Sequence, residues 1–306
     1  MKKIYVAGHT GMVGSAIVRK LERIGKFEIV TRTRQQLDLL NQSDVHHFLR
    51  SERPDYLFIA AAKVGGIHAN NSLRCDFIYE NLTIQNNLIY GAFKAGLEQL
   101  CFLGSSCIYP RDCPQPIKES YLLDGPLEKS NEPYAVAKIA GLKLCEALNA
   151  QHGTKYLTLM PTNLYGPNDN YDLLNSHFLP ALIKKAHSAK ENGENSLEVW
   201  GTGTPRRELL YVDDLADACV YFMEKVETEY MLNIGTGEDH TIREIAERVM
   251  SMVGLEGEIV FDTKKPDGTP RKLLDVSLAN KNGWRHKTNI EDGFVETYAD
   301  FVSKKL

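Results

Sequence analysis

A glycine-rich turn near the amino terminus constrains the fold more than any other feature of the chain. The sequence G-H-T-G-M-V-G at 8–14 follows a short apolar run at 4–7 and precedes a segment at 13–24 whose apolar residues recur with a helical period. Glycines at the first, fourth and seventh positions let the backbone approach a pyrophosphate at the positive end of a helix. The alternative is a tight strand-to-helix turn without a ligand. The strand before the turn and the helix after it favour a dinucleotide-binding loop.

The first half of the chain alternates predicted strands with predicted helices, which is typical of a parallel sheet covered by helices on both faces. We therefore predict an α/β fold with a doubly wound, Rossmann-like parallel sheet and a smaller, discontinuous α/β substrate lobe. The predicted strands of this half are 4–7, 27–31, 56–61, 99–103 and 156–160, and the predicted helices are 13–24, 45–51, 81–96 and 134–151.

The alternation breaks after Pro161. The elements predicted next are a polar loop at 168–176, a helix at 178–190, a turn at 191–195, a short strand at 197–200 and a basic turn at 201–207. We expect the chain to re-enter the sheet around 211–223 and 231–234. These boundaries predict a nucleotide-binding domain of residues 1–164 plus about 208–236, and a substrate lobe of about 165–207 plus 237–306.

Composition argues against several classes of protein. The 306 residues carry a net charge of −4 with both signs mixed along the chain, which argues against a nucleic-acid-binding protein that relies on phosphate contacts. No segment resembles a signal peptide or reaches transmembrane length, so we expect a cytoplasmic protein without a membrane partner. The six cysteines lack C-x-x-C spacing, so we expect neither a metal site nor a disulfide framework.

A hydroxyl, a phenol and an ammonium are predicted to meet at one carbonyl oxygen. Tyr134 and Lys138 are four residues apart in a predicted helix and leave the same face, and Ser105 follows a predicted strand. A nearby cation lowers the pKa of a phenol, so this pair can exchange a proton with a developing alkoxide near neutral pH. The spacing alone is weak, because such pairs commonly lie on a solvated helix face. The preceding glycine loop favours hydride chemistry at a ketone.

The end of the second predicted strand favours NADP(H) over NAD(H). An NAD enzyme usually offers a carboxylate to the ribose there, but this chain has T-R-T-R at 31–34. A guanidinium pairs with a 2′-phosphate, whereas a carboxylate would repel it. The alternative is that Arg32 and Arg34 point into water. Residues 38–39 are candidates for the adenine pocket, and residues 60–62 and 161–164 for the strand ends beneath the cofactor.

Two further side chains are candidates for proton transfer. Cys107 lies two residues beyond Ser105, at the sheet edge where doubly wound folds bind their ligands, and alternation points both side chains to one side. A thiol is more often an inert buried group. His177 lies just before a predicted amphipathic helix, where a lone histidine is more often structural or solvated.

Six motifs together resemble the GDP-L-fucose synthase family, which is the GDP-4-keto-6-deoxy-D-mannose 3,5-epimerase-4-reductase branch of the extended short-chain dehydrogenases/reductases. They are the glycine loop, A-A-A-K-V-G-G-I at 60–67, L-G-S-S-C-I-Y-P at 103–110, N-E-P-Y-A-V-A-K-I-A-G at 131–141, M-P-T-N-L-Y-G-P at 160–167 and K-P-D-G-T-P-R-K at 265–272. The resemblance covers nearly the whole chain. The glycine loop and the Tyr-Lys pair are shared across the superfamily, whereas G-S-S-C-I-Y-P and D-G-T-P-R-K are more specific to this branch.

The resemblance implies two reactions in one pocket: epimerisation at C3 and C5 of GDP-4-keto-6-deoxy-D-mannose, then NADPH-dependent reduction at C4 to GDP-L-fucose. It implies that Cys107 acts as the base and His177 as the acid, although the two roles could be exchanged. Ser105, Tyr134 and Lys138 would stabilise the enolate, and Tyr134 would be the proton donor in the reduction. A homodimer is also implied, through the apolar faces of the helices at 81–96 and 139–148.

The resemblance also implies the binding residues. Those for the GDP end of the substrate are Lys185, Trp200, Arg207 and Asp267. Those for NADP(H) are Gly8, Thr10, Gly11, Met12, Val13, Gly14, Arg34, Leu39, Ala61, Leu103, Gly104, Ser105, Ser106, Lys138, Pro161, Thr162, Asn163, Leu164 and His177. Position 10 is Thr where some family members carry an arginine, which leaves the 2′-phosphate to Arg34, with Arg32 as a second candidate.

Two other functions remain open at this point. The first is another nucleotide-sugar 4-epimerase or dehydratase on the same scaffold, which would usually favour NAD and would not need Cys107. The second is a non-catalytic NADP-sensing protein, whose expected mark is the loss of Tyr134 or Lys138. Both side chains are present, and the arginines at the second strand disfavour NAD.

Overall fold

The computed structural model describes residues 1–173, 176–225, 230–265 and 267–304, except for the side chains of residues 67 and 68. Its strands are β1 Lys2–Ala7, β2 Phe27–Val30, β3 Tyr56–Ile59, β4 Gln99–Leu103, β5 Lys155–Pro161, β6 Asn163–Tyr165, β7 Ser196–Trp200, β8 Arg206–Tyr211, β9 Met231–Ile234, β10 Asp239–Thr241, β11 Glu258–Asp262 and β12 Arg271–Lys272. Its helices are α1 Met12–Ile24, α2 Gln42–Glu52, α3 Ile67–Ser72, α4 Arg74–Lys94, α5 Glu132–His152, α6 Phe178–Glu191, α7 Val212–Glu224, α8 Ile242–Val253, α9 Ser277–Lys281 and α10 Ile290–Ser303.

Six parallel strands in the order β2-β1-β3-β4-β5-β9 form the larger sheet. Period-two alternation along β1 divides its side chains between two cores. Ile4 and Val6 pack with residues of α1 and α7 on one face, and Tyr5 and Ala7 pack with residues of α2, α4 and α5 on the other. The near-continuous apolar strands are buried on both faces, as a doubly wound sheet requires. The predicted fold class is confirmed.

The smaller lobe is built from strands that leave the larger sheet. β6 begins two residues after β5 ends and pairs with β8, which also lies between β10 and β12. β7 and β11 form a separate parallel pair. The helices α6, α8 and α10 pack around a second core with these strands. The chain returns through α7, which follows β8 directly and packs against α1.

Several predicted elements differ from the structure. The helix predicted at 45–51 begins earlier because the Asn41 side chain accepts hydrogen bonds from the backbone N–H groups of Ser43 and Asp44. The helix predicted at 81–96 begins at Arg74, after α3. The basic turn predicted at 201–207 ends in strand β8, because Arg206 and Arg207 pair with β10 and β12. Part of the loop predicted at 168–176, residues 174 and 175, lies outside the described residues.

Within the described ranges, none of the helices combines the length and the apolar character that crossing a bilayer requires. In the same ranges, no three His, Cys, Asp or Glu side chains are grouped so that they could hold a metal ion.

Candidate active site

The glycine loop closes tightly against the neighbouring strand end. Gly8 has a φ of +86°, and a Cβ there would lie 2.6 Å from the backbone nitrogen of Ala61. A Cβ at Gly14 would overlap the Gly8 carbonyl, whereas one at Gly11 would meet only that carbonyl oxygen at 3.6 Å. Helix α1 begins immediately afterwards without a side-chain cap. This bare backbone at a positive helix end fits the pyrophosphate of a dinucleotide.

The two arginines after β2 differ in their surroundings. Arg32 forms an ion pair with Glu52 at 2.6 Å and lies 5.0 Å above the ring of Phe48. Arg34 is exposed and forms no hydrogen bond or ion pair with any residue in the described ranges. Of the two, therefore, Arg34 is the guanidinium that can turn to a 2′-phosphate. Thr10, in the glycine loop, is also exposed.

The remaining predicted cofactor residues lie where the strands of the larger sheet end. Leu103 is the last residue of β4, Pro161 is the last residue of β5, and Asn163 is the first residue of β6. Because the sheet is parallel, the carboxyl ends of its strands share one edge with the glycine loop. The predicted cofactor residues that directly follow Leu103 or flank Asn163 in the chain are Gly104, Ser105, Ser106, Thr162 and Leu164.

Helix α5 carries Tyr134 and Lys138 against the end of β4. Lys138 is buried, its Nζ donates a hydrogen bond to the Leu103 carbonyl at 2.8 Å, and it lies 5.7 Å from the Tyr134 ring centroid. The phenol of Tyr134 hydrogen-bonds with Ser105. The three side chains are therefore brought together, as the sequence predicts.

The electrostatics of this trio differ from the expectation. Burial raises the pKa of Tyr134, and the nearby thiol of Cys107 adds to the rise, although the hydrogen bond from Ser105 opposes it. Burial also lowers the pKa of Lys138 to about 7. The lysine therefore does not depress the phenol pKa in this structure, because desolvation of both groups exceeds their mutual attraction.

Cys107 lies in a short 3₁₀ turn directly after β4. The Ser105 Oγ accepts a hydrogen bond from the Cys107 backbone nitrogen at 3.2 Å, and the Nζ of Lys272 lies 3.4 Å from the Cys107 Sγ. Burial by itself raises the pKa of the thiol. The charge of Lys272 and the hydrogen bonds with Ser105, Lys272 and Asn131 outweigh it, so the pKa of Cys107 is lower than usual.

His177 immediately precedes α6 and keeps an exposed surface. The protein atoms crowded around the ring lower its pKa, and the charge of Lys272 lowers it further. One ammonium thus acts on both candidate proton carriers. Beside Cys107 there is a cavity of about 50 Å³ whose lining includes Asn131 and Lys272.

The four residues predicted for the GDP end form two neighbouring pairs in the smaller lobe. Trp200 is 56% exposed, and the Lys185 ammonium lies 5.2 Å from its ring centroid. A third cation, Lys265, lies 5.0 Å from the same ring. The exposed face of an indole between two ammonium groups can stack on a base while the cations approach phosphates.

The second pair is Arg207 with Asp267. Burial lowers the pKa of the Arg207 guanidinium, and the charge of Asp267 opposes that change. Asp267 accepts a hydrogen bond from the backbone nitrogen of Thr202 at 2.6 Å, directly after the turn that follows Trp200. In the parallel register of β8 and β12, Arg207 is the partner of Lys272. Arg207 of the GDP end is therefore the strand neighbour of the lysine that contacts Cys107.

Comparison with known proteins agrees with this geometry. The profile of the NAD dependent epimerase/dehydratase family matches residues 4–235. GDP-L-fucose synthase 1 of Arabidopsis thaliana is 55% identical over 296 residues, which cover 97% of this chain and 92% of that protein. GDP-L-fucose synthase of Escherichia coli (strain K12) is 50% identical over 313 residues, which cover 99% of this chain and 98% of that protein. The chain belongs to the NAD-dependent epimerase/dehydratase family, on its GDP-L-fucose synthase branch.

Solved structures of the family have the same overall fold. A GDP-6-OMe-4-keto-L-xylo-heptose reductase from C. jejuni superimposes with a TM-score of 0.93 at 38% identity, over 99% of this chain and 98% of that chain. A GDP-L-fucose synthetase from Naegleria fowleri bound to NADP superimposes with a TM-score of 0.91 at 28% identity, over 99% of this chain and 93% of that chain. The resemblance inferred from the motifs is confirmed.

Sequence reasoning on this family member missed Lys272 and Asn131 as neighbours of Cys107. Both lie inside the motifs that carry the resemblance, at the start of N-E-P-Y and at the end of D-G-T-P-R-K. Lys272 is 165 residues from Cys107 along the chain, so no local spacing connects them. The sequence signal that could have indicated the contact is the motif D-G-T-P-R-K itself, because a lysine in a family-specific motif of the substrate lobe is a candidate partner for an anionic group.

Proposed function

We propose that the protein converts GDP-4-keto-6-deoxy-D-mannose to GDP-L-fucose by epimerisation at C3 and C5 and NADPH-dependent reduction at C4. The observation that carries the proposal is the contact between Lys272 and the Cys107 thiol, beside the group formed by Ser105, Tyr134 and Lys138. A proton-transfer group and a carbonyl-binding group thus line one pocket. The GDP-L-fucose synthase relatives at 50% and 55% identity support the same substrate.

Epimerisation requires one group that removes a proton beside the ketone and another that returns it on the opposite face. The charge of Lys272 and the hydrogen bonds to the sulfur lower the pKa of Cys107 despite burial, which favours the thiolate, so this residue is the proposed base. His177 lies within the influence of the Lys272 charge and is the proposed donor; its lowered pKa means that the imidazolium, once formed, gives up its proton readily. Ser105 and Tyr134 hydrogen-bond the oxygen at C4, where the enolate charge develops.

Reduction uses the same oxygen. NADPH, when bound, supplies the hydride that C4 receives. Tyr134 then gives its proton to the alkoxide, and Ser105 holds that oxygen in place. The raised pKa of Tyr134 keeps the phenol protonated and ready to donate. Lys138 fixes the end of β4 through the Leu103 carbonyl and carries its charge beside the phenol.

The cofactor is NADP(H), in agreement with the NADP-bound family member. The glycine loop and the N-terminus of α1 hold the pyrophosphate, and exposed Arg34 pairs with the 2′-phosphate. Leu39 and Ala61 border the adenosine half, and residues 161–164 with Lys138 and His177 border the nicotinamide half. In this proposal the first domain comprises residues 1–164 plus about 208–236, and the rest binds the GDP-sugar.

Lys185 and Trp200 bind the guanosine half of the substrate, and Arg207 and Asp267 bind the diphosphate and a hydroxyl. Arg207 is the strand neighbour of Lys272, which contacts Cys107, and this supports a substrate whose diphosphate lies on the Lys272 side of the thiol. We also propose a cytoplasmic homodimer. Exposed Tyr79 and Tyr90 on α4, which packs against α5, support a helix-pair interface.

The experiment is a direct assay of the purified protein with NADPH and GDP-4-keto-6-deoxy-D-mannose, followed by nicotinamide absorbance and by identification of the product. We expect NADPH to be consumed and GDP-L-fucose to form. The control substrate is the corresponding UDP-linked 4-keto-6-deoxy sugar, which offers the wrong base to Trp200. Consumption with the UDP-sugar and none with the GDP-sugar would instead favour another sugar-nucleotide enzyme of this scaffold.

A further inference from the structure

Besides the groups already described, a buried carboxylate lies in the middle of β8. Glu208 has no exposed surface, and its carboxylate accepts three backbone hydrogen bonds. One oxygen accepts from Thr236 at 2.7 Å and from Gly237 at 2.8 Å, and the other accepts from Leu274 at 2.9 Å. The Thr236 hydroxyl also approaches the carboxylate, at 3.5 Å, but no cation pairs with it within the described residues. A buried carboxylate without a cation is costly to desolvate, so its place needs a structural reason.

The three donors come from two separate parts of the chain. Thr236 and Gly237 follow β9, the edge strand of the larger sheet, whereas Leu274 lies two residues after Lys272. The backbone carbonyl of Glu208 also accepts a hydrogen bond from the Asn163 side chain at 2.9 Å, at the end of the sheet assigned to the nicotinamide. Glu208 thus connects the cofactor-binding sheet to the segment that carries Lys272.

Several contacts hold that segment. Next to Lys272, Arg271 forms an ion pair with Asp239, and the Asp275 backbone nitrogen donates to the Ile117 carbonyl at 2.8 Å. Strand β12 contains only two residues, and its register with β8 pairs Lys272 with Arg207. Beyond it, Leu273 bonds to the Gln115 side chain at 2.9 Å and to the Ile117 backbone nitrogen at 2.7 Å. Leu274 relies on Glu208 for its N–H group. A lysine side chain is long and flexible, so its ammonium stays on one sulfur atom only if its backbone is held.

We propose that Glu208 is a positioning residue that holds the Lys272 ammonium against the Cys107 sulfur. It touches neither substrate nor cofactor and acts through the backbone on the far side of Lys272. The proposal rests on the proposed function only for its consequence, which is faster proton transfer at C3 and C5. The placement of Lys272 itself can be tested without any substrate.

The variant Glu208→Gln tests this role because it keeps the size of the side chain. A carboxamide has one acceptor oxygen and one NH₂ donor, so the N–H of Leu274 or those of Thr236 and Gly237 must face a donor. A Cβ at Gly235 would overlap the carboxylate, which shows how closely the turn after β9 is packed on it. The turn cannot adjust, so the mismatch should move the segment after β12.

The matched control is Asp214→Asn. Asp214 is also a buried carboxylate, and it accepts backbone hydrogen bonds from Lys287 at 3.2 Å and Thr288 at 3.0 Å. It lies on α7 and, among the described residues, forms no hydrogen bond or ion pair with residues 271–275. This variant therefore loses the same kind of buried charge and backbone bonding without displacing Lys272.

The measurement is the rate of alkylation of Cys107 by iodoacetamide as a function of pH, read from the Cys107 peptide by mass spectrometry. The polar groups that face this thiol are Lys272, Ser105, Asn131 and Tyr134. We expect Glu208→Gln to slow alkylation at pH 7 about tenfold and to move the midpoint of the profile to higher pH. We expect Asp214→Asn to leave the alkylation profile of Cys107 unchanged, even if it lowers the melting temperature as much as Glu208→Gln does.

Two results would overturn the proposal: an unchanged Cys107 profile in folded Glu208→Gln, or an equal shift in Asp214→Asn. If Glu208→Gln does not fold, Glu208→Asp decides by the same measurement, because it keeps the charge but withdraws it from Leu274. The outcome is separate from the proposed function, since alkylation needs no GDP-sugar. A protein inactive on GDP-4-keto-6-deoxy-D-mannose could still show the predicted difference between the Glu208 and Asp214 variants.

Discussion

The two reacting groups of this protein are built in different ways. Ser105, Tyr134 and Lys138 stand on neighbouring elements of the larger sheet, within one continuous stretch from β4 to α5. Cys107 comes from the same stretch, but Lys272, which lies beside its sulfur, and His177, whose pKa the same lysine lowers, come from the smaller lobe. The carbonyl-binding group is therefore complete within one sheet and its helices, whereas the proton-transfer group exists only where the two lobes meet.

The two lysines show what this difference means for charge. Lys138 is buried against the Leu103 carbonyl, and burial lowers its pKa to about 7, so its cationic form is weakened. Lys272 reaches a thiol instead, and its charge offsets the burial of Cys107. We therefore expect Lys138 to act mainly through its position and Lys272 mainly through its charge.

The largest expected effect comes from removing the thiol of the proton-transfer group while the carbonyl-binding group stays intact. Cys107→Ser should slow deuterium uptake at C3 and C5 of the substrate about 100-fold or more, because a serine hydroxyl is a far poorer base than a thiol. NADPH affinity should change little. The measurement is isotope incorporation from heavy water, by mass spectrometry of the recovered sugar nucleotide.

The matched variant for that comparison is Tyr134→Phe, which should stop NADPH oxidation while deuterium uptake continues at a reduced rate, because Ser105 still hydrogen-bonds the C4 oxygen. Equal loss of both reactions in both variants would show that the groups do not act separately. Deuterium uptake that persists unchanged in Cys107→Ser would remove the thiol from the mechanism.

A smaller effect should follow from removing the charge alone. In Lys272→Met the burial of Cys107 is no longer opposed by an ammonium, so the pKa of the thiol should rise. The ascending limb of the pH profile for deuterium uptake should then move to higher pH. We expect a loss of about tenfold at pH 7 that disappears at high pH, where the thiol ionises in either protein.

Lys272→Arg keeps the charge and is the control for this variant. It should retain most of the wild-type profile. A loss in Lys272→Met that is the same at every pH would mean that the lysine only binds substrate and does not act on the thiol.

The sequence predicted the larger sheet well because its signals are local. Short apolar runs, glycine turns and helical periods each span fewer than 20 residues, and the order of β1, β3, β4 and β5 follows from them. Helix starts were less accurate. The polar cap Asn41 precedes the apolar pattern of α2, and α4 begins at Arg74 after Leu73, without a side-chain cap. No element was predicted beyond residue 234, although Thr241 and Glu244 form a capping box at the start of α8.

The candidate site likewise contains residues that local sequence signals could predict and residues that they could not. The trio of Ser105, Tyr134 and Lys138 could be predicted because helical spacing and strand alternation place them together. The contact between Cys107 and Lys272 could not, because it depends on the register of a two-residue strand. The raised pKa of Tyr134 was also not predictable, since it depends on how completely the fold excludes water around it.

The smallest expected effect concerns the cofactor and compares two adjacent arginines. Arg34→Ala should weaken NADPH binding about tenfold and leave NADH binding nearly unchanged, because only NADPH carries the 2′-phosphate. Arg32→Ala is the control: its guanidinium is occupied by Glu52, so the ratio of the two affinities should stay constant. Fluorescence titration with each reduced cofactor measures both. Equal losses of NADPH and NADH in Arg34→Ala would show that this arginine does not recognise the phosphate, and a selective loss in Arg32→Ala would move that role to Arg32.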